Sequence, residues 1–265
     1  MGKMRGGGVE AVVMNYYRHI DRSKVQFDFL VDSDSTLIPR EEIEALGGRV
    51  FKIPPYQHVA EYQRELQRLF EQEGWRIVHS HINALSVFPL RAAKKAGVPV
   101  RIAHSHSTSG KGEHVKNALK TVLKTQSNRY PTYRFACSKF AGEWLFGKGA
   151  DFEVVYNAID LDRFRFNAEA RAHARADLGL VGVEAQVSGL PCLLSDAITR
   201  EVDVTGECKF LSIENPDVWA DEIDSLSPCS YEGRLSVSSG LFADYNIDLQ
   251  GKRLTRKYLD LYSRN

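Results

Sequence analysis

Two hydrophobic rhythms alternate along the first 166 residues. Short apolar runs, partly β-branched and bounded by Gly or Pro, predict buried parallel strands at 25–31, 48–53, 77–78, 100–103, 133–137 and 152–156. Stretches with apolar positions three and four apart predict helices between them, at 8–20, 58–73, 84–96, 114–124 and 139–147. Val9, Val12, Val13, Tyr16 and Tyr17 make the stripe of the first, and Leu66, Leu69 and Phe70 that of the second. The 84–96 stretch is rich in Ala and Leu and closes at Gly97, with Pro99 just beyond. Ser138 is placed to cap the helix at 139. Alternating strands and helices of this kind define a doubly wound parallel α/β domain over 1–166.

Beyond that point the rhythm breaks. Residues 167–180 read as an Ala/Arg-rich helix or linker. Residues 181–243 carry a helix at 181–189, strands at 190–195 and 208–212, and a helix at 215–226 with Asn215 as cap and Pro216 in its first position. An amphipathic helix, 246–263 within the segment 244–265, closes the chain. The second part is too small for a complete α/β domain.

The segment 76–108 organises the rest, because it states one motif twice: an apolar run followed by His-Ser-His. A parallel strand, helix, strand crossover is right-handed almost without exception, so both strands must end on one edge of one sheet. His79, His81, His104 and His106 are therefore expected together at the carboxyl edge, where open α/β sheets bind ligands. Gly6, Gly7 and Gly8 open the first helix, where backbone amides and the helix dipole favour a phosphate or polar sugar. A glycine loop of this kind normally follows a strand, and the first strand is expected to be absent here.

Composition narrows the chemistry. With 35 basic against 34 acidic side chains, whole-molecule attraction to nucleic acid is not expected. No apolar run approaches the roughly 20 residues of a bilayer span. Cys137, Cys192, Cys208 and Cys229 lie far apart without a CxxC pair, which predicts free thiols and, with no recognisable signal peptide, a cytoplasmic protein. Lys116, Lys120 and Lys124 line one face of the 114–124 helix opposite Val115, Leu119 and Leu123. That face is either solvated or a docking surface for anionic lipid or a lipid-phosphate acceptor, which would put the protein at the inner face of the membrane. The His-x-His pairs are a ligand pattern for metals, but no carboxylate or cysteine cluster accompanies them, so no metal is expected.

Five stretches in order, GKMRGGGVEAVVMNYYRHID, VHSHINALSVFPLRAAKKAGVPVRIAHSHST, FACSKFAGEWLFG, VVYNAIDLDRF and VEAQVSGLPCLLSD, resemble family-4 glycosyltransferases. These are retaining enzymes of GT-B fold that build bacterial capsular and exopolysaccharides. The resemblance implies a GT-B-like α/β fold, one near-complete Rossmann-like domain holding the acceptor and part of a second domain for a nucleotide-diphosphate sugar. It implies transfer from a UDP-sugar to a saccharide or lipid-linked acceptor, with no cofactor. Gly6, Gly7 and Gly8 would approach the donor phosphate or the acceptor, and His106 or His104 the transferring sugar. Glu184 matches the second of the family's paired glutamates, which holds the donor ribose. The first glutamate would fall at position 176, which is Ala, and the usual basic pair for the diphosphate has no counterpart between 167 and 181. The expectation is therefore a block missing between Leu180 and Val181, with donor chemistry impaired.

Overall fold

The computed structural model describes residues 1–106, 123–164, 182–226 and 239–265. The chain divides into two compact units, one of Met1–Asn157 with Gln250–Asn265, the other of Ala158–Leu249.

The first unit follows the predicted alternation. It contains α1 (Gly8–His19), β1 (Asp28–Asp32), α2 (Arg40–Ala45), β2 (Arg49–Ile53), α3 (Val59–Glu73), β3 (Ile77–Ser80), α4 (Val87–Lys95), β4 (Val100–Ser105), β5 (Tyr133–Ala136), α5 (Lys139–Phe146) and β6 (Glu153–Val154). The strands form two parallel ladders, β1-β2 and β3-β4-β5-β6. Tyr17, Leu66, Leu90, Ile102 and Phe135 are each at most 1% exposed. Burial of each such side chain contributes about 2 kcal/mol. Ser138 caps α5 as expected, its hydroxyl accepting from the Ala141 amide at 3.1 Å.

Three expectations are revised. The helix predicted at 84–96 is a 3-10 turn at Asn83–Ser86 followed by α4, because Pro89 has no amide to give a preceding carbonyl and is tolerated only in a first turn. The 25–31 strand begins three residues late, after Gln26 folds back so that its amide donates to the Leu46 carbonyl. The glycine loop does follow strand-like backbone: Gly2 bridges Val31 in parallel, with the Asp32 amide donating to the Gly2 carbonyl at 3.1 Å.

The second unit contains α6 (Leu161–Phe164), α7 (Gly182–Val187), the parallel pair β7 (Leu193–Ser195) and β8 (Lys209–Leu211), and α8 (Pro216–Ser225). Its apolar centre is Leu161, Val187 and Phe242. Gln186 ties it together, accepting from the amides of Val204 and Thr205 and donating to the carbonyls of Gly182 and Val202. Pro216 stands at the start of α8 as expected, but the Asn215 side chain makes no capping bond. The last helix, α9 (Ile247–Ser263), instead has a side-chain cap, Asn246, which accepts from the Asp248 amide at 3.0 Å. Cys192 and Cys208 are free thiols, and the Cys137 thiol donates to the His106 carbonyl at 3.4 Å. Lys116, Lys120, Cys229, the whole 167–180 segment and the Leu180–Val181 junction lie outside the described residues. No helix among those described is long and apolar enough to cross a membrane.

Candidate functional site

The crossover places the histidines as topology demands. β3 and β4 are parallel neighbours in the register His79 to Ile102 and Ser80 to Ala103, so their His-Ser-His ends lie side by side. His79 Nε2 is 3.1 Å from His104 Nδ1, and His81 Nδ1 is 2.9 Å from His106 Nε2. The rings of His104 and His106 are 4.0 Å apart, those of His79 and His81 4.1 Å. Four imidazoles thus form one cluster, walled by the edge-on ring of Phe135 5.4 Å from His79.

Burial decides its charge. Removal from water pushes His79 down to about 3 and His106 down to about 4, and holds His81 and His104 well below the ordinary imidazole range. Mutual repulsion adds to this for His79, His81 and His104, and among the described residues no carboxylate opposes it. At neutral pH the cluster is uncharged, and each ring offers one donor and one acceptor nitrogen. His104 Nε2 and His106 Nδ1 are buried without a well-formed hydrogen bond, as is Asn157 Oδ1. The His106 amide is fixed by Asn83 Oδ1 at 2.7 Å, from a residue held at φ 51°.

A single ligand atom from each of His79, His81 and His104 lies within 4.8 Å of the others, so these three could hold a metal ion; among the described residues no carboxylate or thiolate joins them. Tyr258 from α9 is the partner that sequence reasoning missed. Its hydroxyl lies 2.6 Å from His79 Nδ1. The amphipathic pattern of the last helix foretold that Tyr258 faces inward, and nothing foretold what it meets.

The glycine loop is already satisfied by an anion of its own. The Glu10 carboxylate accepts from the amides of Arg5 at 2.9 Å, Gly6 at 2.6 Å and Gly7 at 3.0 Å. Gly6 has φ 82°, a left-handed conformation that glycine tolerates. A side chain at Gly8 would meet open space. Glu10 was missed at the sequence level, although an acidic side chain three positions after a helix N-cap is a capping signature. Glu184 lies half-buried on α7 in the second unit, where its carbonyl accepts from the Ser188 amide. Lys124 is half-buried, its ammonium 5.0 Å from the centre of the Trp144 ring.

A parallel α/β sheet with polar side chains gathered at its carboxyl edge and a glycine-opened helix beside it defines the Rossmann-like class of ligand-binding proteins. Within that class the chain belongs to Glycosyltransferase Family 4, whose model matches residues 6–163. EpsF of Bacillus subtilis (strain 168), named as a glycosyltransferase, is 38% identical over 186 residues, 67% of this chain and 48% of the relative. The chain thus spans about half the length of that relative. Among the solved structures that share the fold are the following two. Anabaena HepE in complex with UDP-glucose aligns with a TM-score of 0.69 at 12% identity over 98% of each chain. Acinetobacter baumannii MurG aligns at 0.54 with 11% identity, over 100% of this chain and 98% of that one.

Proposed function

We propose that the chain transfers a sugar from a nucleotide-diphosphate donor, such as a UDP-sugar, to a saccharide or lipid-linked acceptor in polysaccharide synthesis, with retention and without a metal or cofactor. The observation that carries this reading is the cluster of four neutral imidazoles at the carboxyl edge of β3 and β4. A neutral ring next to a transferring sugar accepts a hydrogen bond from a hydroxyl at one nitrogen or donates one to a sugar oxygen from the other, and carries no charge in doing so. His106, half-buried at the end of the row, is assigned to touch the sugar, with His104 behind it.

In this reading the amides of Gly6 and Gly7 and the open approach at Gly8 receive a phosphate or an acceptor group once Glu10 moves aside, and Glu184 holds the donor ribose. Departure of the diphosphate builds negative charge, and one missing donor in such a site costs about 2.7–4 kcal/mol of barrier. Ala176 in place of a glutamate, with no counterpart of the family's Arg and Lys pair for the diphosphate between 167 and 181, therefore predicts impaired turnover. Action at the inner face of the membrane, through Lys116, Lys120 and Lys124, belongs to the same proposal.

Incubation with a panel of UDP-sugars and a lipid-linked acceptor tests the reading, and slow but donor-specific transfer is the expected result. The occupied loop favours one rival, a protein that holds an acceptor without catalysing transfer. Calorimetry with UDP separates the two: measurable binding supports the enzyme, and none supports the rival.

A further inference from the structure

The parallel sheet of the first unit is interrupted between β1 and β3. The two facing strands run in the same direction. At their amino ends Trp75, just before β3, donates from Nε1 to Asp28 Oδ2 at 2.7 Å. At their carboxyl ends Gly2 bridges Val31 of β1, and a side-chain atom on Gly2 would stand 2.9 Å from Ile82, just after β3. Between these two points lies a cavity of about 690 Å³, lined by Leu30 and Val78 from the strands, Leu66 and Phe70 from one covering helix, and Val13 and Tyr258 from two others. Both faces of the gap are thus covered by apolar side chains, which is the setting of a central parallel strand.

The backbone says what would fill it. The Asp32 amide donates to the Gly2 carbonyl at 3.1 Å and the Met1 nitrogen to the Leu30 carbonyl at 2.8 Å, so Met1 and Gly2 already run along β1 as a parallel strand does. In that alternation the next groups on β1 facing the gap are the Leu30 amide and the Asp28 carbonyl. An acyl chain would cover the apolar walls and leave those groups unpaired. A strand satisfies both.

From this register we propose that the gap between β1 and β3 binds an extended peptide, apolar on both faces, as a parallel strand paired to each. The inference does not depend on the sugar-transfer reading.

The test compares the unmodified chain with versions carrying five extra residues ahead of Met1. Lys-Ile-Val-Leu-Val spans about 16 Å as a strand, Gly-Ser-Gly-Ser-Gly is a flexible control, and Lys-Pro-Val-Pro-Val keeps apolar residues but removes two amide donors. The apolar extension is expected to raise Tm by more than about 5 °C and to slow amide exchange at Leu30 and at His79, whose amide faces away from β4, about tenfold or more, while both controls leave them unchanged. The acetylated free peptide, added to the unmodified chain, is expected to protect the same two amides. Equal effects from Gly-Ser, or unchanged exchange with either the fused or the free peptide, would overturn the proposal. So would a Tm rise with sodium decanoate alone, which would assign the gap to an acyl chain.

Discussion

The Tyr258 hydroxyl lies 2.6 Å from His79 Nδ1, across 179 residues of sequence. This contact hands the histidine cluster a polar partner from the end of the chain. Burial raises the Tyr258 pKa, so the phenol stays protonated. His79 Nε2 meets His104 in turn, and the contact orients two rings at once.

Tyr258→Phe removes that partner while keeping the ring. It leaves a buried imidazole nitrogen unpaired, and stability should fall by about 1–3 kcal/mol. Urea unfolding measures this. A change within the scatter of surface mutations, about 0.5 kcal/mol, would mean the contact orients nothing.

The cluster makes the fold sensitive to acid. Each ring is held below its unfolded pKa near 6.5, with His106 at about 4 and His79 at about 3, so the unfolded chain takes up protons first as pH falls. Stability is therefore full above about pH 6.5 and declines from there toward pH 4, by of order 1 kcal/mol per ring per pH unit. Denaturant midpoints at pH 7.5, 6 and 5 should drop in that order, and the decline should shrink in His81→Gln. A flat profile would mean the rings are solvated.

Docking of α9 against the end of α1 leaves no room for a methyl group at Gly251. An added Cβ would stand 2.6 Å from the His19 carbonyl oxygen, part of the backbone. Gly251→Ala gains about 1 kcal/mol of helix propensity, yet the clash should outweigh it and give a net loss of about 1–3 kcal/mol. Net stabilisation in a thermal melt would show that α9 does not rest there.

Glu10 competes with any anion for the amides of Gly6 and Gly7. Glu10→Ala frees them at the cost of about 1 kcal/mol of capping, and pyrophosphate should bind about tenfold more tightly, the worth of one charge-assisted hydrogen bond. Calorimetry reads this out. Weaker binding in the variant would show that Glu10 shapes the loop for its ligand instead of occupying it.

Much of this arrangement was legible in the sequence because it follows from local signals and one chirality rule. Gly97 and Pro99 punctuate the turn between α4 and β4, and the crossover then forces both His-Ser-His ends to one edge. The break before α4 needed closer attention to Pro89, whose missing amide sets where a regular helix can start. Tyr258 was out of reach, since helical periodicity shows which side of α9 is buried but not which distant strand it covers. The gap beside β1 was half visible: the glycine loop signalled a preceding strand, and only the pairing of Gly2 with Val31 reveals how far that strand's place is filled.

Histidine-selective NMR of the ring protons, followed from pH 7.5 to 5 with and without UDP-glucose, reads both the charge of the cluster and its contact with a nucleotide sugar. The four rings are expected not to titrate over this range, and their resonances, His106 foremost, to move when the nucleotide sugar is added. Ring titration near pH 6.5, or four resonances indifferent to UDP-glucose, would contradict this expectation.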